Sequence, residues 1–422
     1  ILMMNDFTLL VSRSERLTYA REHLNEMFGK KYPKNFRTEH ISYHKDEPEE
    51  LAVINYTSGT TSYSKGVMLP YRSLWSNTKF AFEVLDLQAG DKIVSMLPMA
   101  HMYGLAFEFL YEFSVGCHIY FLTRMPSPKI IFQAFEEVKP NLIVAVPLII
   151  EKIIKKSVLP KLETPAMKIL LKVPIINDKI KATVREEMIK AFGGNFKAVI
   201  VGGAAFNQEV EQFLKMIDFP YTVGYGMTEC GPIICYEDWR RFKPGSCGKA
   251  VPRMDVQVLS SDPENIVGEL HVKGDNVMLG YYKNNEATEN AFKDGWLNTG
   301  DLAVMDKNNF IYLKGRSKNM ILGPSGQNIY PEEIEGKLNN MPFVSESIVI
   351  EKEGKLIALV YPDFENAGKE NITQKNIETQ MEENRIALNK ELPAYSQISQ
   401  INIHYEEFEK TPKRSIKRYL YQ

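Results

Sequence analysis

Apolar positions along the chain fall into short runs, separated by stretches with helical spacing. Leu51 to Thr57 is rich in β-branched and aromatic residues and reads as a mostly buried strand. It runs into a Ser/Gly/Thr loop, after which Tyr71 to Leu87 reads as a helix. Asp91 to Leu97, Cys117 to Thr123, Asn141 to Val146 and Phe196 to Val201 read as short strands. Ile130 to Val138, Leu148 to Lys156, Asp178 to Phe192 and Gln208 to Ile217 read as the helices among them. Strands alternating with helices predict an α/β fold, a parallel sheet with helices on its faces.

The pattern changes near Gly245. Gly245 to Gly315 is dense in Gly, Asn and Asp, with alternating runs at Met254 to Leu259 and Glu269 to Val272, which predicts turn-rich β structure. After Lys318 it changes again. A helix is predicted from Pro331, because proline suits the first helical turn. Strands at Glu346 to Glu351 and Lys355 to Tyr361 meet at Gly354, and a polar helix runs from Gln374 to Lys390. Residues 1–317 read as a large multi-layer αβ domain and 318–422 as a small α+β domain.

Composition narrows the function. Lys plus Arg is 51 and Asp plus Glu is 53, a formal charge of −2, which argues against nucleic acid as a partner held by bulk positive charge. The chain has no run of about 18 apolar residues, so no membrane-spanning helix is expected. Cys117, Cys230, Cys235 and Cys247 have no CxxC spacing, and the histidines do not cluster. Reduced thiols in a cytoplasmic protein follow. The metal to expect is a phosphate-bound Mg²⁺ on one carboxylate.

The candidate chemistry begins at Thr57 to Gly66, TSGTTSYSKG. Gly59 permits unusual backbone geometry, Thr57, Ser58, Thr60 and Thr61 offer hydroxyls, and Lys65 adds a charge. Such a loop suits a phosphate chain. It is not a Walker A loop, since Lys65 lies between Ser64 and Gly66. Further motifs follow in order: YGMTE at Tyr225 to Glu229, WLNTGDL at Trp296 to Leu302, KGRSK at Lys314 to Lys318, and SGQNIYPEEIE at Ser325 to Glu335.

Together these motifs resemble the adenylate-forming superfamily, from about residue 50 to the end. Within it, MPFVSESIVI and LIALVYPD are most similar to bacterial long-chain fatty-acid CoA ligases. The resemblance implies ATP, Mg²⁺ and CoA, with activation of a fatty acid to acyl-AMP and transfer to a thiol. An acyl-carrier protein is the alternative acceptor, and a non-catalytic nucleotide- and acyl-binding protein is an alternative of another class. A fatty substrate would bring transient membrane contact. Thr57 to Lys65 would hold the β- and γ-phosphates, Thr228 would donate to phosphate, and Glu229 would ligate Mg²⁺. Tyr225 would stack on adenine, with Gly202, Gly203, Ala204 and Ala205 as the opposite wall. Asp301 would take the ribose hydroxyls, with Arg316 beside it. His101 would stand at the mouth of an acyl tunnel between Met99 to Phe107 and Val201 to Gly226. Gly202 and Gly226 would leave room for the chain, and Lys318 would be the hinge of the small domain. Alone, each residue has a plainer reading: Tyr225 a core aromatic, Asp301 a turn residue, Glu229 a solvated charge.

Three features depart from the family pattern. Ser62 and Ser64 stand where the loop has Gly and Pro. In EKTPKRSIKR, Glu409 to Arg418, Ser415 takes the place of the catalytic lysine; Lys413, Arg414 and Lys417 are close, Lys417 being the candidate substitute, and the plainer reading is a solvated basic tail. The chain begins at Ile1, about fifty residues before the loop, so an N-terminally incomplete large domain is expected.

Overall fold

The computed structural model describes residues 3, 8–57, 64–123, 127–159, 174–323, 326–369, 374–410 and 416–421. The chain forms two compact units, Ile1–Glu47 and Pro48–Gln422. The first unit carries helices Glu15–Glu22 and Leu24–Lys31, neither of which buries a residue fully. The Ser14 hydroxyl caps the first by accepting from the Leu17 N–H.

The second unit opens with β1 (Leu51–Thr57), which pairs antiparallel with β2 (Lys65–Pro70). The register sets Thr57 opposite Lys65. The helix Tyr71–Val84 follows. It stops short of the predicted Leu87 because Asp86 takes a positive φ of 44°.

The predicted parallel sheet is present. It is built from β3 (Lys92–Ser95), β4 (His118–Phe121), β5 (Ile143–Ala145), β6 (Val199–Val201) and β7 (Tyr221–Val223). β3 pairs with β4, β5 with β6 and β6 with β7, all parallel, and a parallel bridge from Ile93 to Leu142 joins the two groups. The order is therefore β4-β3-β5-β6-β7. Neighbouring residues of one strand enter different cores. Ile93, Leu142, Val144 and Ile200 pack on one face, and Val94, Ile143, Ala145, Val199 and Val201 on the other. Burial on both faces explains the unbroken apolar runs.

The turn-rich region is β structure as expected. β8 (Tyr225–Gly226), β9 (Ile233–Tyr236) and β10 (Lys249–Ala250) form one antiparallel sheet. β11 (Met254–Leu259), β12 (Gly268–Gly274), β14 (Phe292–Lys293), β15 (Trp296–Met305) and β16 (Ile311–Arg316) form another. Between them β13 (Gly280–Tyr281) returns to pair with β2.

Further on lie β17 (Ile321–Leu322) and β18 (Asn328–Ile329), the helix Pro331–Leu338, and β19 (Val344–Lys352) paired with β20 (Lys355–Pro362). β21 (Gln400–Ile403) adds in parallel to β20, and the helix Gln374–Glu391 belongs to the same part. Ile334, Leu338, Val349, Val360, Met381 and Leu388 give this part its own core. No described helix is long and apolar enough to cross a membrane.

Candidate functional site

Parallel strands present their carboxyl ends to one edge, where α/β folds bind ligands. β3 leads there into Met96–His101, β6 into Gly202–Ala205, and β7 into Gly224 and Tyr225. Gly203, Ala204 and Ala205 are exposed. Gly203 has a φ of +89°, a conformation that favours glycine.

The first cluster is Tyr225, Asp301 and Arg316. Antiparallel register places Asp301 directly opposite Arg316 across β15 and β16. Arg316 Nε lies 2.8 Å from Asp301 Oδ1. The Tyr225 hydroxyl donates to Asp301 Oδ2 at 2.5 Å. Asp301 is only 6% exposed, and burial holds its carboxyl above the ordinary value although Arg316 and Tyr225 pull it down. Burial, then the Asp301 charge, pushes the Tyr225 phenol well up. The cluster pairs an aromatic ring with a carboxylate acceptor, the chemistry a nucleoside needs.

The second cluster surrounds Glu229, which lies with Thr228 in the buried 3₁₀ turn Thr228–Cys230. The Tyr281 hydroxyl donates to Glu229 Oε1 at 2.9 Å. Lys65 Nζ sits 4.6 Å from the centre of the Tyr281 ring. Burial, then the Glu229 charge, pushes the Tyr281 phenol up. Glu229 and Thr228 offer carboxylate and hydroxyl oxygens, a donor set that fits a hard cation such as Mg²⁺. Ser58, Gly59, Thr60, Thr61 and Ser62 lie outside the described residues.

His101 precedes the helix Met102–Leu105 and is half-buried. The next aromatic, Tyr103, donates from its hydroxyl to the Ile200 carbonyl at 3.2 Å. A side chain on Gly202 would begin 3.2 Å from the Tyr103 ring, so the two predicted walls face each other here. At Gly226 the missing side chain would begin 2.1 Å from the Pro232 carbonyl oxygen, so glycine is needed there for backbone approach between β8 and β9.

Lys417 pairs with Glu409 at 3.1 Å, beside Arg418, which pairs with Glu335 at 2.6 Å. Neither pair includes a residue of the Asp301 or Glu229 cluster. Ser415 lies outside the described residues, and Lys318 is exposed in the 3₁₀ turn Ser317–Asn319.

Sequence reading missed Tyr281, which carried no signal beyond an aromatic in a turn-rich run. It also missed Glu108 and Glu112, both fully buried. Their signal was available, since two carboxylates stand in the apolar stretch from Ala106 to Val115.

Residues 8–282 match the family model described as AMP-binding enzyme, and residues 318–421 match its C-terminal domain. The chain belongs to the AMP-binding enzyme family, the adenylate-forming superfamily its motifs indicated. It is 30% identical over 326 residues to a long-chain-fatty-acid–CoA ligase of Bacillus subtilis strain 168, which covers 75% of this chain and 53% of that protein. The chain thus spans about half the length of the curated relatives it matches. In fold it resembles the ATP-bound RpMatB–BxBclM chimera B1, with a TM-score of 0.72 and 23% identity, covering 90% of this chain and 70% of that one. It also resembles the O-succinylbenzoate coenzyme A synthetase of Bacillus subtilis in complex with ATP and magnesium ion. There the TM-score is 0.71 at 21% identity, over 92% of this chain and 74% of that one.

Proposed function

We propose that the protein activates a carboxylic acid with ATP and passes the acyl group to the thiol of CoA in the cytoplasm. A carboxylate oxygen bonds to the α-phosphorus, the α–β anhydride bond breaks, and pyrophosphate leaves. The thiol then loses its proton to water, its sulfur bonds to the acyl carbon, the bond from that carbon to the phosphate oxygen breaks, and AMP leaves. The observation that carries this reading is the pair of clusters around Asp301 and Glu229, on residues four apart in the chain at Tyr225 and Glu229. Tyr225 and Asp301 would take the nucleoside. Lys65, with Thr57 opposite it, would neutralise phosphate charge and orient it. Glu229 would hold Mg²⁺, which supplies charge shielding when bound, and Thr228 would donate to phosphate.

The acid we favour is a long-chain fatty acid, because the curated relatives are named for it. The same names favour CoA over a carrier protein. Pyrophosphate release and thioester formation with palmitate, benzoate and O-succinylbenzoate, each with and without CoA, test the reading. Palmitate is expected to give the fastest release, and thioester only with CoA. A faster aromatic acid would overturn the long-chain assignment. ATP binding without turnover would favour the non-catalytic alternative.

Residues 318–422 would turn at Lys318 between the two half-reactions. In the present arrangement Lys155 Nζ donates to Asn340 Oδ1 at 3.1 Å, and Asn207 Nδ2 donates to the same oxygen at 2.5 Å. These bonds latch the small part to the large one. Asn340→Ala is expected to change the ratio of the two half-reaction rates about fivefold, from two hydrogen bonds of about 0.5–1.5 kcal/mol each. Single-turnover measurement of each half-reaction checks it, and an unchanged ratio would reject the latch.

A further inference from the structure

Tyr281 lies between the two charged groups of the phosphate end. Its strand, β13, pairs with β2 so that Tyr281 stands opposite Val67, two residues beyond Lys65. The Tyr281 N–H donates to the Thr288 hydroxyl at 2.9 Å. The Tyr282 N–H donates to the Gly66 carbonyl at 2.7 Å, and the Met278 N–H to the Glu229 carbonyl at 2.8 Å. Gly280, at φ +145°, has Thr288 Cγ2 within 2.7 Å of where its own side chain would begin. The backbone carrying Tyr281 is therefore fixed to both β2 and the Glu229 turn. Its side chain is 7% exposed, with the hydroxyl on Glu229 and the ring face under the Lys65 ammonium.

We propose that Tyr281 is a positioning residue that fixes the Glu229 carboxylate through one oxygen and holds Lys65 apart from it. The inference rests on the reading of this site as one for Mg²⁺ and ATP. A direct Lys–Glu pair would neutralise both groups, and a ligand would have to break it. A ring between them avoids this. Its face attracts the ammonium through the π quadrupole, and its hydroxyl serves one carboxylate oxygen. The other oxygen of Glu229 would then be left to hold a hard cation. Outer partners of this kind change metal affinity about 10–100-fold.

Tyr281→Phe keeps the ring and removes the hydroxyl, while Tyr281→Leu removes both. Equilibrium binding of ATP to the whole chain, without acid or CoA, is titrated with Mg²⁺ and repeated in EDTA. Tyr281→Phe is expected to need about tenfold more Mg²⁺ for half-maximal effect, with metal-free ATP affinity unchanged. Tyr281→Leu is expected to weaken metal-free binding as well, about threefold, because Lys65 loses its support. Parental Mg²⁺ dependence in Tyr281→Phe overturns the inference. So does equal weakening with and without metal, the mark of a merely structural residue. Parental protein that binds no ATP at any Mg²⁺ concentration overturns the nucleotide reading itself, and is seen before any variant is made.

Discussion

Asp301→Asn is expected to fold as well as the parent and to release pyrophosphate on the order of 100-fold more slowly. The two effects separate because they have different causes. Burial raises the Asp301 carboxyl above its ordinary value. A raised acid contributes stability below its unfolded value, here 3.8, and loses it as pH rises through the folded value. At neutral pH the ionised carboxylate therefore subtracts from stability, and a neutral isostere removes that penalty. Against this, Arg316 loses its partner, but its side chain is 48% exposed and water replaces the pair cheaply. The net change in stability is expected within about 1 kcal/mol. Activity depends instead on the charged acceptor that the ribose hydroxyls would meet. Hydrogen bonds to a charged group contribute about 1.5–3 kcal/mol each, so two of them give roughly the stated loss. Urea midpoints and pyrophosphate release on the same preparation measure both. An Asn variant with parental release would remove Asp301 from the nucleotide site.

The parts of this site that were legible in the sequence are those built by local or in-register contacts. Asp301 and Arg316 are fifteen positions apart and meet because β15 and β16 are neighbours with a short connection. Tyr225, Thr228 and Glu229 lie within one short stretch of chain just after β7. The parallel strands were legible because burial on both faces leaves runs such as Leu142 to Ala145 wholly apolar. β2 was not. Lys65 to Pro70 begins in polar residues and ends in proline, and its second partner, β13, lies more than two hundred positions away. Tyr281 was hidden for the same reason, since only that distant pairing brings it to Lys65. The close approach at Gly226 was not legible, because a glycine required by backbone contact looks the same in sequence as one that leaves room for a ligand.

The protein is expected to lose stability as pH rises from about 4.5 to about 8, with Glu108 and Glu112 the main cause. Both are fully buried, and burial pushes each carboxyl up to about 8. The unfolded acids ionise near 4.5, so the folded state holds protons that the unfolded state has already released. The stabilising contribution is complete below that value, declines through the window, and is gone above about 8. At about 1.4 kcal/mol per unit, each group accounts for a few kcal/mol. Glu211 and Glu335, pushed by burial to about 7, act in the same direction. The two glutamates differ in what replacing them does. Glu108 lies in the π turn Ala106–Leu110 and accepts from the Ser95 hydroxyl and the Met96 N–H at 3.1 Å, and from the Leu97 N–H at 2.8 Å. It thereby ties the end of β3 to the segment leading to His101. Glu108→Met would orphan three donors at about 1–3 kcal/mol each, destabilising the protein even at pH 6 and loosening the segment that leads to His101. Neither carboxylate oxygen of Glu112 has a hydrogen-bond partner among the described residues. Glu112→Met orphans nothing, so it is expected to raise stability by about 2 kcal/mol at pH 8 and to flatten the alkaline decline. Urea unfolding of the parent and both variants from pH 6 to 9 measures all of this. A parental curve flat with pH, or a Glu112→Met variant less stable than the parent at pH 8, would show that these carboxyls ionise in the folded protein at ordinary values.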